Sequence, residues 1–210
     1  VPHGTSAVTI RKVALTADSA HIDATGEITN INGPVGTMDI RAGSLDLDQL
    51  LLFASDFMEG SGAATGAGGT SAPAAGASTT DLTVTLAADR ATMAGVSLDA
   101  VKGTAHLKGD DVTVEPMVFN LFGGSYEGRL GANIGTSPTF SWKANLKNLD
   151  MAAVTAFAGS PGIMTGRLGA NIDLTGTGID AVTAMKTARG TATLAVQNGT
   201  VKNLALVRSA

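Results

Sequence analysis

The chain has 210 residues and a net charge of −4, with 14 basic side chains against 18 acidic ones, so it presents no basic field for a nucleic-acid duplex. It has no cysteine, which excludes disulfides, thiolate nucleophiles and cysteine metal sites together. No apolar run reaches the length of a bilayer-spanning helix, while 27 glycines and only 4% aromatics suit thin strands and short turns in one large domain or two small units.

In chain order, period-two alternation appears first over 20–28, where Ala20, Ile22, Ala24, Gly26 and Ile28 share one face against His21, Asp23, Thr25 and Glu27. Leu47, Leu50, Leu51, Ala54, Phe57 and Met58 then fall at helical spacing, with Asp46 or Asp48 as the N-cap. Residues 59–80 are Gly/Ala/Ser/Thr-rich and read as a disordered, solvated insertion, because the second unit makes the same helix-to-strand passage between Gly159 and Met164. Alternation resumes at Leu82, Val84 and Leu86 and again at Val112 and Val114.

Asp110-Asp111 between them reads as a hairpin turn and not as a carboxylate dyad. From 126 to 134, Tyr126, Gly128, Leu130, Ala132 and Ile134 oppose Glu127, Arg129 and Asn133; from 140 to 146, Phe140, Trp142, Ala144 and Leu146 oppose Ser141, Lys143 and Asn145. Asp150 caps a second helix from Met151 to Ala158, stopped by Gly159 and Pro161. Leu168, Ala170, Ile172 and Leu174 form the next dry face, a third helix is predicted over 179–187, and Ala192, Leu194 and Val196 close the pattern before Asn198-Gly199, a tight-hairpin signal. One wet and one dry face predicts antiparallel sheet.

The chain also repeats itself. Gly33–Asp48 aligns with Gly135–Asp150, and Thr25–Ile28 with Glu127–Leu130, at an offset of 102; Lys102–Leu107 aligns with Arg189–Leu194. Repetition predicts a modular β architecture extended by adding units. The expected organisation is a first unit at 1–58, the insertion at 59–80, further strands at 81–134 and a second, truncated unit at 135–210.

Catalytic chemistry finds no foothold. His3, His21 and His106 are scattered over polar strand faces, where a plain surface histidine fits better than a ligand or a base. Gly123-Gly124 lacks the Lys-Ser/Thr and the parallel strand-to-helix setting of a phosphate loop. No cofactor or metal is predicted, and the chain reads as no enzyme. Small residues among the apolar ones on the dry faces (Ala24, Gly26, Gly128, Ala132, Ala170, Ala192) could leave a trough where a fully packed face would not. Its expected lining is Ile22, Ile28, Leu82, Val84, Leu86, Val112, Val114, Leu130, Ile134, Phe140, Trp142, Leu168, Ile172, Leu194 and Val196. The same faces would equally build the closed core of a β-sandwich, and for Phe140 and Trp142 core packing is the plainer role.

Asn120-Leu-Phe-Gly-Gly-Ser-Tyr-Glu-Gly-Arg-Leu130, then Leu146-Lys-Asn-Leu-Asp-Met-Ala-Ala-Val154, Met164-Thr-Gly-Arg-Leu-Gly-Ala-Asn171 and Ala188–Leu204 together resemble the C-terminal region of the AsmA family. The resemblance implies a mainly β fold, a long curved antiparallel sheet forming an apolar groove, two repeat units and a short capped helix in each. It further implies a periplasmic segment that binds phospholipid acyl chains and supports lipid transfer between inner and outer membranes. The chain then reads as a fragment of a longer, inner-membrane-anchored protein whose anchor is missing here. No catalytic residues carry over, protein partners are not indicated, and the insertion departs from the family pattern. The rival readings are a β-repeat surface adhesin, against which the two capped helices speak, and a closed-core scaffold for envelope assembly with no lipid cargo.

Overall fold

The computed structural model describes residues 7–17, 20–29, 34–50, 52, 80–178 and 181–202. Ten strands form a single open sheet in chain order. These are β1 (Ala7–Ala17), β2 (Ala20–Thr29), β3 (Val35–Asp46), β4 (Asp81–Met93), β5 (Val96–Lys108), β6 (Asp111–Leu121), β7 (Gly124–Asn133), β8 (Thr139–Asp150), β9 (Met164–Thr177) and β10 (Arg189–Val201). Helix α1 begins at 47; α2 is Met151–Phe157 and α3 is Ala181–Thr187. His3, Leu51, Ala54, Phe57, Met58 and the sequence from 59 to 79 lie outside the described residues.

The sheet is mixed, which corrects the antiparallel expectation. β3 and β4 run parallel, from Val35↔Asp81 to Asp46↔Thr92, and every other pairing is antiparallel. Alternation reports which face a residue takes and is blind to strand direction. Residues 47–80 therefore return the chain to the end of the sheet at which β3 began.

The helix caps refine the repeat. The Asp46 carboxylate accepts the Gln49 N–H at 3.1 Å, and the Asp150 carboxylate accepts the Ala152 N–H at 2.8 Å. Asp46, not Asp48, caps α1; Asp48 instead accepts the Ala94 N–H at the β4–β5 turn, at 2.8 Å. Such a cap satisfies one of the orphan donors of a helix start, about 1 kcal/mol each. The two caps lie 104 positions apart, and so do the facing pairs Ile22↔Ala42 and Tyr126↔Leu146. The structural repeat thus runs at 104, two residues beyond the offset that best matches the letters.

The Asn198-Gly199 signal is spent on a bulge, not a hairpin. Both residues sit inside β10, where pairing to β9 shifts between Gln197 and Thr200, and Asn198 takes φ 51°. A Cβ on Gly166 would come within 2.7 Å of the Gly199 Cα, so the bulge brings two glycine backbones together. The β6–β7 turn uses Phe122 and Gly123, both at positive φ (47° and 68°), the primed geometry that matches sheet twist.

The core lies at the end of the apolar face that bears α1 and α2; α3 stands at the other end, where Thr187 hydrogen-bonds Thr177. Ala42, Leu45, Ala88, Ala91, Leu98, Val101, Phe119, Tyr126 and Ala144 form one buried cluster, against which Leu47 and Leu50 of α1 pack. At α2, Met151 and Thr155 are buried, and the Thr155 hydroxyl donates back to the Met151 carbonyl at 2.9 Å. Helices this short hold only through such packing.

Candidate functional site

Pairing register aligns the apolar residues into rows that cross the sheet at right angles to the strands. The first row runs Ile28, Gly36, Leu82, Leu107, Val112, Ala132, Phe140. The second runs Gly26, Met38, Val84, Ala105, Val114, Leu130, Trp142, Leu174. The third runs Ala24, Ile40, Leu86, Gly103, Met117, Gly128, Ala144, Ile172, Ala192. At about 4.8 Å per strand, the nine strands of this third row span roughly 38 Å. Register fixes this because every second residue of each strand stands on the same side.

Two more rows lie toward α1 and α2. Ile22, Ala42, Ala88 and Val101 continue, past a register shift, as Phe119, Tyr126, Leu146, Ala170 and Leu194. Beyond them stand Leu45, Ala91 and Leu98, and farther along Leu149, Leu168 and Val196. Of the fifteen residues expected to line a trough, fourteen fall in these five rows; Ile134 follows the end of β7, where its N–H donates to the Asp110 carbonyl at 2.8 Å. Met38, Ile40, Leu107 and Met117 share the face but were not among them. The signal was there, since Gly36, Met38, Ile40 and Ala42 alternate as regularly as any strand in the chain.

Coverage divides the face. The two rows near α1 and α2 hold most of the buried residues, whereas in the first three rows Ala144 alone is buried among the described residues. Leu98 is 2% exposed and Leu130, on the open part, 39%. Among the described residues no second sheet lies on this face.

Tyr126 bridges the two parts. Its ring stacks on Phe119 with centroids 4.4 Å apart and planes 3° apart, and it lies over Gly128, where a Cβ would meet the phenol oxygen at 2.6 Å. That clearance lets the Trp142 indole N–H donate to the Tyr126 hydroxyl at 2.9 Å. Burial pushes the phenol above its ordinary value of 10.0, and the Trp142 hydrogen bond opposes the shift in part. Raised in the folded state, this group adds stability that is complete below about pH 10 and is lost as pH rises through the folded pKa. Urea midpoints should therefore drop more between pH 9 and pH 11 in the parent chain than in Tyr126→Phe. Tyr126 is the one tyrosine of the chain, so phenolate absorbance tracks it directly; equal drops in the two proteins would remove it as the cause.

The opposite face is polar. Glu115 pairs with Arg129 at 3.4 Å, Lys143 with Asp173, and the Asn145 amide donates to Asn171. These groups rim an open hollow of about 540 Å³ that also meets Glu127, Thr191 and Thr193. Half-exposed ion pairs of this kind add little stability. His106 hydrogen-bonds Thr83 at 3.1 Å and His21 pairs with Asp23 at 3.2 Å. Asp110 sits in the β5–β6 turn with Gly109, and Asp111 opens β6, accepting from the Asn133 amide at 2.7 Å. Among the described residues no group of three His, Asp or Glu side chains is placed to hold a metal.

The AsmA family model matches residues 54–208, which spans β4 to β10 with all their rows. β1 to β3 precede the match and are tied to it by the internal repeat. No curated protein and no solved structure matches the chain.

Proposed function

The chain belongs to the AsmA family, and from that premise we propose that the open part of the apolar face binds phospholipid acyl chains as one segment of a periplasmic lipid-transfer path between the inner and outer membranes. Family membership is consistent with lipid transfer or envelope biogenesis. The observation that carries the finer reading is the division of the face. Three continuous apolar rows stay partly exposed, while α1 and α2 stand beside the other two rows.

Acyl chains need no polar recognition. Each buried methylene contributes about 0.8 kcal/mol, so a partly covered chain is held by several kcal/mol. Apolar attraction is non-directional, and a lipid would slide along a row without breaking hydrogen bonds. The small residue between two large ones, Gly103 beside Leu86 and Met117, leaves a dip in the surface. The hollow behind the sheet is rimmed instead by charged and amide side chains. The role is non-catalytic. No described helix is long and apolar enough to cross a membrane, so an inner-membrane anchor would lie outside the described residues.

Native mass spectrometry of the purified chain, with identification of extracted lipid, tests this. Phospholipid near one per chain is expected, and Leu130→Asp or Ile172→Asp should strip it while the far-ultraviolet circular dichroism stays unchanged. Losing contact with two methylenes, about 1.6 kcal/mol, already weakens retention by roughly tenfold. A lipid-free, well-folded parent chain would instead favour a closed-core scaffold.

A further inference from the structure

The two edges of the sheet are guarded unequally. A free strand edge is a template for another strand, and bulges and charges are the usual deterrents. β1 has both, since its register shift falls between Ile10 and Val13 and the residues inside it are Arg11 and Lys12. β10 pairs with β9 without interruption from Arg189 to Gln197, and after Arg189 that run contains no charge and no proline. Leu194 is 66% exposed and Val196 43%. Among the described residues, no strand pairs with the outer edge of β10.

The internal repeat supplies a paired counterpart. β5 carries Lys102–Leu107 where β10 carries Arg189–Leu194. Gly103 faces Leu86 as Gly190 faces Leu174, and Ala105 faces Val84 as Ala192 faces Ile172. The far edge of β5 takes an antiparallel strand, β6; among the described residues the matching edge of β10 takes none.

We propose that β10 pairs antiparallel with β10 of a second copy of this chain, about a twofold axis at Thr193. Only this register engages the whole regular run from Arg189 to Gln197 on both copies. It sets Leu194 against Ala192 of the partner subunit and Val196 against Gly190 of the partner subunit, the same large-on-small pairing seen at Leu86–Gly103. Arg189 then faces Gln197 of the partner subunit, so no like charges meet. A twofold axis normal to the sheet keeps both apolar faces on the same side and joins them into one surface. The pairing stands whether or not that surface carries lipid.

The absence of cysteine makes the test direct. Thr193→Cys places a thiol on the axis, where facing Cα atoms of an antiparallel pair lie about 4.5–5.5 Å apart, within disulfide reach. Mild oxidation should give covalent dimer at least about tenfold faster for Thr193→Cys than for Thr191→Cys or Ala195→Cys alone, because neither of the latter meets its own copy. Mixing the last two should restore cross-linking. Sedimentation equilibrium should show a dimer for the parent chain and a monomer for Ala192→Pro, which removes an edge N–H, with circular dichroism preserved. A parent chain that stays monomeric, equal cross-linking at all three positions, or open-ended oligomers from β10 adding to β1 would each overturn the pairing.

Discussion

Replacing Leu98 by alanine is expected to destabilise the chain by about 2–5 kcal/mol, the range for emptying a buried leucine site. Leu98 is the one large side chain that is fully buried among the described residues, and the residue facing it is already minimal: Ala91, with Leu45 beyond. An alanine leaves little to relax into the void, which places the loss toward the upper end. Leu130→Ala should lose under about 1.5 kcal/mol, since its side chain already meets solvent. The contrast carries more than either value. Both leucines stand on the same face of one sheet, so a second layer closing over that face would make them equally sensitive. Urea unfolding at constant m reads the difference from the midpoints; matching losses would mean that the open rows are covered in solution.

How much of this was legible in the sequence differs from residue to residue. The faces of β2, β4, β7, β8 and β9 could be read from alternation because the side-chain period of a strand is two whatever its neighbours do. Asp150 announced α2 because a cap is a local event between a carboxylate and an N–H two residues on. Asp46 and Asp48 could not be separated that way: both precede the same apolar run, and the choice rests on where β3 ends and on the Ala94 N–H that draws Asp48 away. Asn198-Gly199 carries the right chemistry for positive φ, but a hairpin and a bulge ask for the same residues. What decides is Gly166 on the neighbouring strand, far off in sequence. The open division of the apolar face was invisible for a related reason. Leu98 and Leu130 are the same residue in the same pattern, and what separates them is the core cluster on which α1 packs.

Strand direction was the largest loss, and it sets up the second large effect. Removing residues 59–79 is expected to destabilise the chain by up to about 3–6 kcal/mol, whereas removing 62–71 alone should change stability by less than about 1 kcal/mol. A connection between parallel neighbours must travel the length of a strand, unlike the short passage from β8 to β9, which begins beside the end it leaves (Asp150↔Arg167). β3 has 12 residues, so the return covers roughly 36 Å. An extended chain spans at most about 3.3–3.6 Å per residue, and the path therefore needs at least about ten residues beyond the helix. With 59–79 gone, only 53–58 and Thr80 join residue 52 to Asp81, which reaches about 25 Å. The chain must then unwind α1 to close the gap, stripping the partly buried Leu47 and Leu50 from the core cluster, each worth up to about 1.5–3 kcal/mol. The smaller deletion leaves a path of ample length and slightly favours closure of a shorter loop. An unchanged urea midpoint after removal of 59–79 would sink the parallel β3–β4 pairing itself, because an antiparallel return would need no such span.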